Sequence, residues 1–287
     1  MHLMSGPVYG VLERIAPGIR RMLAPNPSLF THTGTHTHVV GEGDVAVIDP
    51  GPDDPGHLGA LLAALGTESV RAILCTHTHR DHSPGAGRLR AITGAPVVGC
   101  APLVVADGGV RADASFDDAY APDQVLADGE QLRGASWTLQ AVATPGHAPN
   151  HLCFRFLEEE ALFSGDHVMG WSTTIVAPPE GDMAAYMKSL EKLLEHADAV
   201  YYPAHGQPIA DPHAHVHALI AHRRDRERQI VDALGAGPHD IAVLVASLYR
   251  GIDPALHPAA AMSVLAHLLD LEARGLVVRS GKRWRLA

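Results

Sequence analysis

Thr76-His77-Thr78-His79-Arg80-Asp81-His82 follows directly on the apolar run Val70-Arg-Ala-Ile-Leu-Cys75. The run reads as a strand, because short aliphatic and β-branched stretches closed by polar residues suit a buried strand. Three imidazoles and a carboxylate within the next six residues are more than packing requires. At a strand end His77 and His79, two apart, point the same way, while Asp81 and His82 turn the corner toward a helix. Two ligand sets emerge from one segment. Imidazole nitrogen and carboxylate oxygen are donors that zinc accepts, with iron and manganese as further candidates. A closed structural zinc site would use cysteines, and Cys75, Cys100 and Cys153 do not have that spacing.

Outward from this segment, Val45–Asp49, Pro96–Gly99, Trp137–Val142, Leu152–Phe156 and Ala199–Tyr202 also read as strands. Helical patterns run from Leu58 to Leu65 and from Met183 to Leu194, and the runs are closed by signals such as Asp49-Pro-Gly-Pro and Thr144-Pro-Gly-His147. This alternation fits two packed sheets with helices outside, and equally a doubly wound sheet. After about residue 210 the pattern changes to helices at His215–Leu234, Ile241–Tyr249 and Ala259–Arg274, then to a hairpin whose two-residue turn contains Gly281. Helices followed by such a hairpin resemble a winged helix.

Three more segments put a ligand type just after an apolar run: Thr144-Pro-Gly-His147, Ser164-Gly-Asp166-His167 and Pro203-Ala-His205-Gly206. With these the sequence resembles the metallo-β-lactamase superfamily over roughly residues 8 to 210. The resemblance implies an α/β fold, an αββα sandwich of two mixed sheets flanked by helices. It implies that His77, His79 and His147 hold one ion, that Asp81, His82 and His205 hold a second, and that Asp166 bridges them. Two zinc ions are expected, with iron or manganese as alternatives; between them a bridging hydroxide becomes available at neutral pH. Asp81 is expected to orient that water, and His205 to help the leaving group depart. Asp49 matches the position that supports a ligand imidazole. His36 stands where the family has Asn, and the tract Thr31–His38 is expected to be strand-edge structure rather than a ligand set. His213, His215, His217 and His222 read as a solvated helix face, and Trp171–Thr174 as pocket lining or packing.

Asn26-Pro-Ser, Gly34-Thr35, Ser172-Thr-Thr174, Asp182–Leu190 and His222-Arg-Arg-Asp-Arg-Glu-Arg-Gln229 together resemble the lactamase-beta-like subfamily, whose members add a C-terminal winged-helix domain. The expected division is a catalytic domain over residues 1–212 and a winged-helix domain over 213–287. Known activities in that subfamily, single-strand RNA cleavage and thioester hydrolysis, make an ester, thioester or phosphodiester the expected substrate, carried by a small molecule or RNA. Alternatives are a glyoxalase-II-like hydrolase, a β-lactamase, and, in a different class, a winged-helix regulator that binds nucleic acid.

Composition limits these choices. With 46% hydrophobic and 19% charged residues the chain can bury an ordinary core. A formal charge of −10 argues against wrapping by nucleic acid, and the tail from residue 216 holds ten basic against seven acidic residues, a net +3, leaving −13 on the first 215. Sequence-specific DNA binding is therefore not expected, and the tail is expected to serve as a lid or substrate platform. Three widely spaced cysteines suggest reduced, buried thiols, and no apolar run approaches the roughly 20 residues that span a bilayer, so a cytoplasmic, membrane-free protein is expected. No pattern speaks to oligomeric state.

Overall fold

The computed structural model describes residues 6–103 and 116–287. Within them the first sheet follows chain order: β1 (Glu13–Ala16), β2 (Ile19–Leu23), β3 (His36–Glu42), β4 (Asp44–Ile48), β5 (Ser69–Cys75), β6 (Val97–Gly99) and β7 (Gln124–Val125). β1 to β4 pair antiparallel; from β4 onward the pairing is parallel, because α1 (Pro55–Leu65) and α2 (Gly85–Thr93) return the chain to the same end. The second sheet contains β8 (Gln131–Arg133), β9 (Thr138–Ala143), β10 (Leu152–Phe156), β11 (Ala161–Gly165) and β12 (Val200–Pro203), in the order β12-β11-β10-β9-β8. Its one parallel pair, β11 with β12, is joined across α3 (Met183–Leu193).

Period-two alternation explains why the sheets stack. Leu139, Ala141, Phe154, Phe163 and Tyr202 share one apolar cluster with Val40, Ala46 and Ile48 of the first sheet, on the face of β3 and β4 from which His38 reaches Phe163. Their neighbours Val142, Cys153, Leu162 and Tyr201 face the other way, against Met183, Tyr186 and Leu190 of α3. Leu61, Leu65 and Leu89 of α1 and α2 pack on the first sheet. The result is the αββα sandwich, not a doubly wound sheet.

One expectation fails here. The tract ending in His38 is not strand-edge structure: β3 lies inside the sheet between β2 and β4, and its residues His36 to Gly41 are all buried. His38 fills core space, its ring 5.0 Å from Phe163. Of the tract, only His32 is exposed, stacked on Trp171 at 4.7 Å.

The tail forms α4 (Pro212–Gly235), α5 (Ile241–Leu248), α6 (His257–Ala273) and a hairpin of β13 (Val277–Ser280) and β14 (Arg283–Leu286). The register pairs Ser280 with Arg283, so the two-residue turn is Gly281-Lys282, with Gly281 at φ +63° as a primed hairpin turn requires. Ile230, Leu244, Val264, Leu268, Val277 and Trp284 give this region its own core. The first half of α4 serves elsewhere: Val216, Leu219 and Ile220 complete the apolar layer over α3. His213, His217 and His222 are exposed along it.

Candidate metal centre

Strand ends deliver the chemistry. His77 follows β5, His147 follows β9, Asp166 follows β11 and His205 follows β12, all at one rim of the sandwich. His77, His79, His147 and Asp166 form one group and Asp81, His82 and His205 another, the candidate ligand atoms of each lying within 4.8 Å of one another. His77 Nε2 and His147 Nε2 stand 2.8 and 3.0 Å from His79 Nδ1. Asp166 faces both groups: Oδ2 is 3.6 Å from His147 Nε2, and Oδ1 is 3.4 Å from His82 Nε2 and 3.2 Å from His205 Nε2. Asp81 Oδ2 lies 3.2 Å from each of the latter two nitrogens. All seven side chains singled out from the sequence are thus gathered in one place.

His147, His205 and His82 are each held by the nitrogen that faces away from the centre. His147 Nδ1 donates to Ile175 O at 2.7 Å and His205 Nδ1 to Gly34 O at 3.1 Å. Asp49 Oδ2 lies 3.0 Å from His82 Nδ1, while the same carboxylate accepts from the backbone and hydroxyl of Thr76, both at 2.8 Å. Asp49 therefore contacts a ligand-type imidazole as expected, at φ +48°, a conformation the two Thr76 bonds hold in place. Gly165 is needed for a different reason. At φ +51° a Cβ there would meet His151 Nε2 at 2.6 Å, and that nitrogen accepts from Asp166 N at 3.1 Å. Thr35 Oγ1 donates to Asp81 Oδ2 at 2.9 Å, and Asn26 Oδ1 fixes Thr35 by accepting from its backbone N.

His151, Thr76 and the carbonyls of Gly34 and Ile175 were not singled out from the sequence. Thr76 abuts the motif and His151 lies four residues after His147, which are usable signals; a backbone carbonyl leaves none. His36 is buried outside both groups, its pKa lowered to about 4 by burial and then by Arg21. Trp171 is 39% exposed and Thr174 buried, so of the segment Trp171–Thr174 the one stacks on His32 and the other supports the backbone.

Charge divides the two groups. Burial holds His77 well below the ordinary imidazole range and takes His79 to about 3, so both present neutral lone pairs. At the second group burial also opposes charge, yet Asp81, Asp166 and Asp49 lift His82 well above its ordinary value, and Asp166 with Asp81 lifts His205 to about 10. Burial pushes the carboxyls of Asp81 and Asp166 up, and the two imidazoles overcome it and hold both well below the usual range. This group is built to stabilise positive charge, and a bound cation would take the place of the protons. His82 Nε2 and Asp166 Oδ1 are buried without a hydrogen bond, a cost that a ligated ion removes. The residues fit a pair of divalent cations.

Above them lies a cavity of about 290 Å³ whose apolar wall is Phe30, Pro52, Met169 and Ile175. Among its described lining residues none comes from the C-terminal region.

Comparison with known proteins agrees with this geometry. The family model described as metallo-beta-lactamase superfamily matches residues 29–205, and that of a beta-lactamase associated winged helix domain matches residues 241–284. A beta-lactamase-like protein 2 homolog of Drosophila melanogaster is 32% identical over 92% of this chain and 91% of its own. An atrochrysone carboxyl ACP thioesterase of Claviceps purpurea is 32% identical over 78% of this chain and 67% of its own. Among solved structures, a beta-lactamase domain protein from Burkholderia ambifaria superposes with a TM-score of 0.82 at 22% identity, covering 99% of this chain and 97% of that one.

Proposed function

Because the chain belongs to the metallo-β-lactamase superfamily, we propose that this hydrolase is a two-metal thioesterase, using Asp166 to join the ions. The ions, zinc or else iron or manganese, would supply Lewis acidity and an activated water near neutral pH. His77, His79 and His147 offer neutral nitrogens to one, and Asp81, His82 and His205 serve the other. Asp81, with its side chain 25% exposed at the cavity and one oxygen held by Thr35, accepts the proton of the attacking water and aims it. His205 is 1% exposed and ties Nδ1 to Gly34 O, so in this reading it acts as a ligand rather than as an acid.

One observation favours thioesters. Among the described residues lining the cavity, Arg80 is the single titratable side chain outside the ligand set, and a guanidinium keeps its proton. Amide nitrogen or alkoxide leaving groups need a proton, which here only Asp81 could return once it has taken one from the water, whereas a thiolate, from a thiol of pKa about 8.5, departs without one. The relatives named thioesterases support the same reading. The apolar wall suits an acyl group.

Metal-replete protein tested against a matched acyl thioester and oxygen ester, a β-lactam, a phosphodiester and RNA should turn over the thioester at least about tenfold faster than the oxygen ester. Cleavage of RNA or lactam with an inert thioester would overturn the assignment. The +3 tail gives little for duplex DNA, and we read the substrate as a small molecule or a carrier-bound acyl group. No helix among the described residues is long and apolar enough to cross a membrane. Cys75, Cys100 and Cys153 are free and buried, which supports a reducing, cytoplasmic setting.

A further inference from the structure

We propose that Arg223, on the C-terminal helix α4, is a positioning residue for the metal centre, acting through the Thr174–Ile175 peptide. The Arg-rich segment His222–Gln229 is left unused by the cavity, and Arg223 within it is only 3% exposed. Its Nη2 donates to Thr174 O, its Nη1 donates to Ser263 Oγ of α6 at 3.3 Å, and its guanidinium lies 5.3 Å from the ring centre of Tyr186 on α3.

What the guanidinium grips reaches two of the candidate ligands. The single hydroxyl proton of Thr174 is shared between Asp166 O at 2.8 Å and His167 O at 3.0 Å. The next carbonyl, Ile175 O, accepts from His147 Nδ1 and so leaves the Nε2 lone pair facing the centre. Asp166 Oδ2 and His147 Nε2, 3.6 Å apart, are therefore both referenced to one short peptide. That peptide lies between β11 and α3, where residues 171–182 belong to no helix or strand, so side-chain bonds and the buried Val176 hold it in place of a backbone ladder.

Energetics separate this from packing. A buried guanidinium whose Nε has no hydrogen-bond partner is costly, and an apolar side chain would fill the space more cheaply. Among the described residues Arg223 has no ion pair to offset that cost, so its donors to Thr174 and Ser263 are what the charge supplies. One turn on, Arg226 turns the other way: Nη1 donates to Leu248 O at 2.9 Å and the guanidinium stacks 4.0 Å over Tyr249. α4 thus joins the winged helix to the metal centre, and the tail acts as its buttress.

This proposal rests on the two-metal reading, and the test separates the two. Full-length Arg223→Met, Arg223→Lys, Thr174→Val and Thr174→Ser are compared with the parent by chelator competition for bound zinc, by the visible spectrum of the cobalt(II) form, and by melting of the metal-free protein. Arg223→Met and Thr174→Val should each weaken zinc retention by about tenfold and alter the cobalt spectrum, as for loss of a partner behind a ligand. Lys and Ser, which keep one donor, should recover much of both. On a turned-over substrate kcat should fall with KM within about twofold. If Arg223→Met does not fold, Arg223→Lys is read in its place for the guanidinium, while Thr174→Val, which leaves α4 and the Thr174 carbonyl intact, tests the peptide it grips. Parent-like zinc retention and cobalt spectra in the folded variants, or a lowered metal-free melting temperature as the sole change, would overturn the role of Arg223. A parent that binds no metal would overturn the two-metal reading instead.

Discussion

Asp166→Asn is expected to cut turnover by about a hundredfold or more while the far-ultraviolet circular dichroism stays that of the parent. The carboxylate is the one group whose two oxygens face both ligand sets, Oδ1 toward His82 and His205 and Oδ2 toward His147. An amide keeps the shape but loses the charge, and it offers NH2 where one set needs an acceptor. The fold should survive, because Gly165, the Asp166 backbone and its bonds with His151 and Thr174 are untouched. Activity retained within about threefold of the parent would show that Asp166 does not join two ions.

A loss of similar weight in stability is expected from Trp137→Ala, on the order of 3–5 kcal/mol, measured by denaturant unfolding of the metal-free protein. Trp137 is 1% exposed beside β9, in the apolar cluster between the sheets, and its Nε1 donates to Asp44 O of the first sheet at 2.8 Å. Two glycines make room for the ring: a Cβ on Gly41 or Gly134 would stand 2.4 or 2.1 Å from its atoms. Removing the indole leaves a void that these rigid turns cannot fill, and strands a carbonyl. A change under about 1 kcal/mol would mean that the two sheets do not depend on this contact.

The centre was legible because its chemistry is concentrated. His77 to His82 carry four of the seven candidate ligands in one segment, and His147, Asp166 and His205 each sit just after an apolar run, where a strand end is easy to recognise. Strands with polar core residues were harder. β3 begins His36-Thr-His38, and nothing in that tract shows that His38 will be sealed between Phe163 and Tyr202. β1 and β2 hide for a related reason, since Arg14, Arg20 and Arg21 interrupt their apolar residues and find Glu42, Glu68 and Glu13 only after folding. The winged helix was visible as a change of period from helix to hairpin. Its relation to the centre was not, because Arg223 acts through carbonyl and hydroxyl groups that lie far from it in the chain.

Metal content tests the central claim most directly. Protein purified without chelators, or stripped and titrated back, should hold about two transition-metal ions per chain by elemental analysis, as a paired centre requires. Content near zero that zinc, iron and manganese all fail to restore would contradict it.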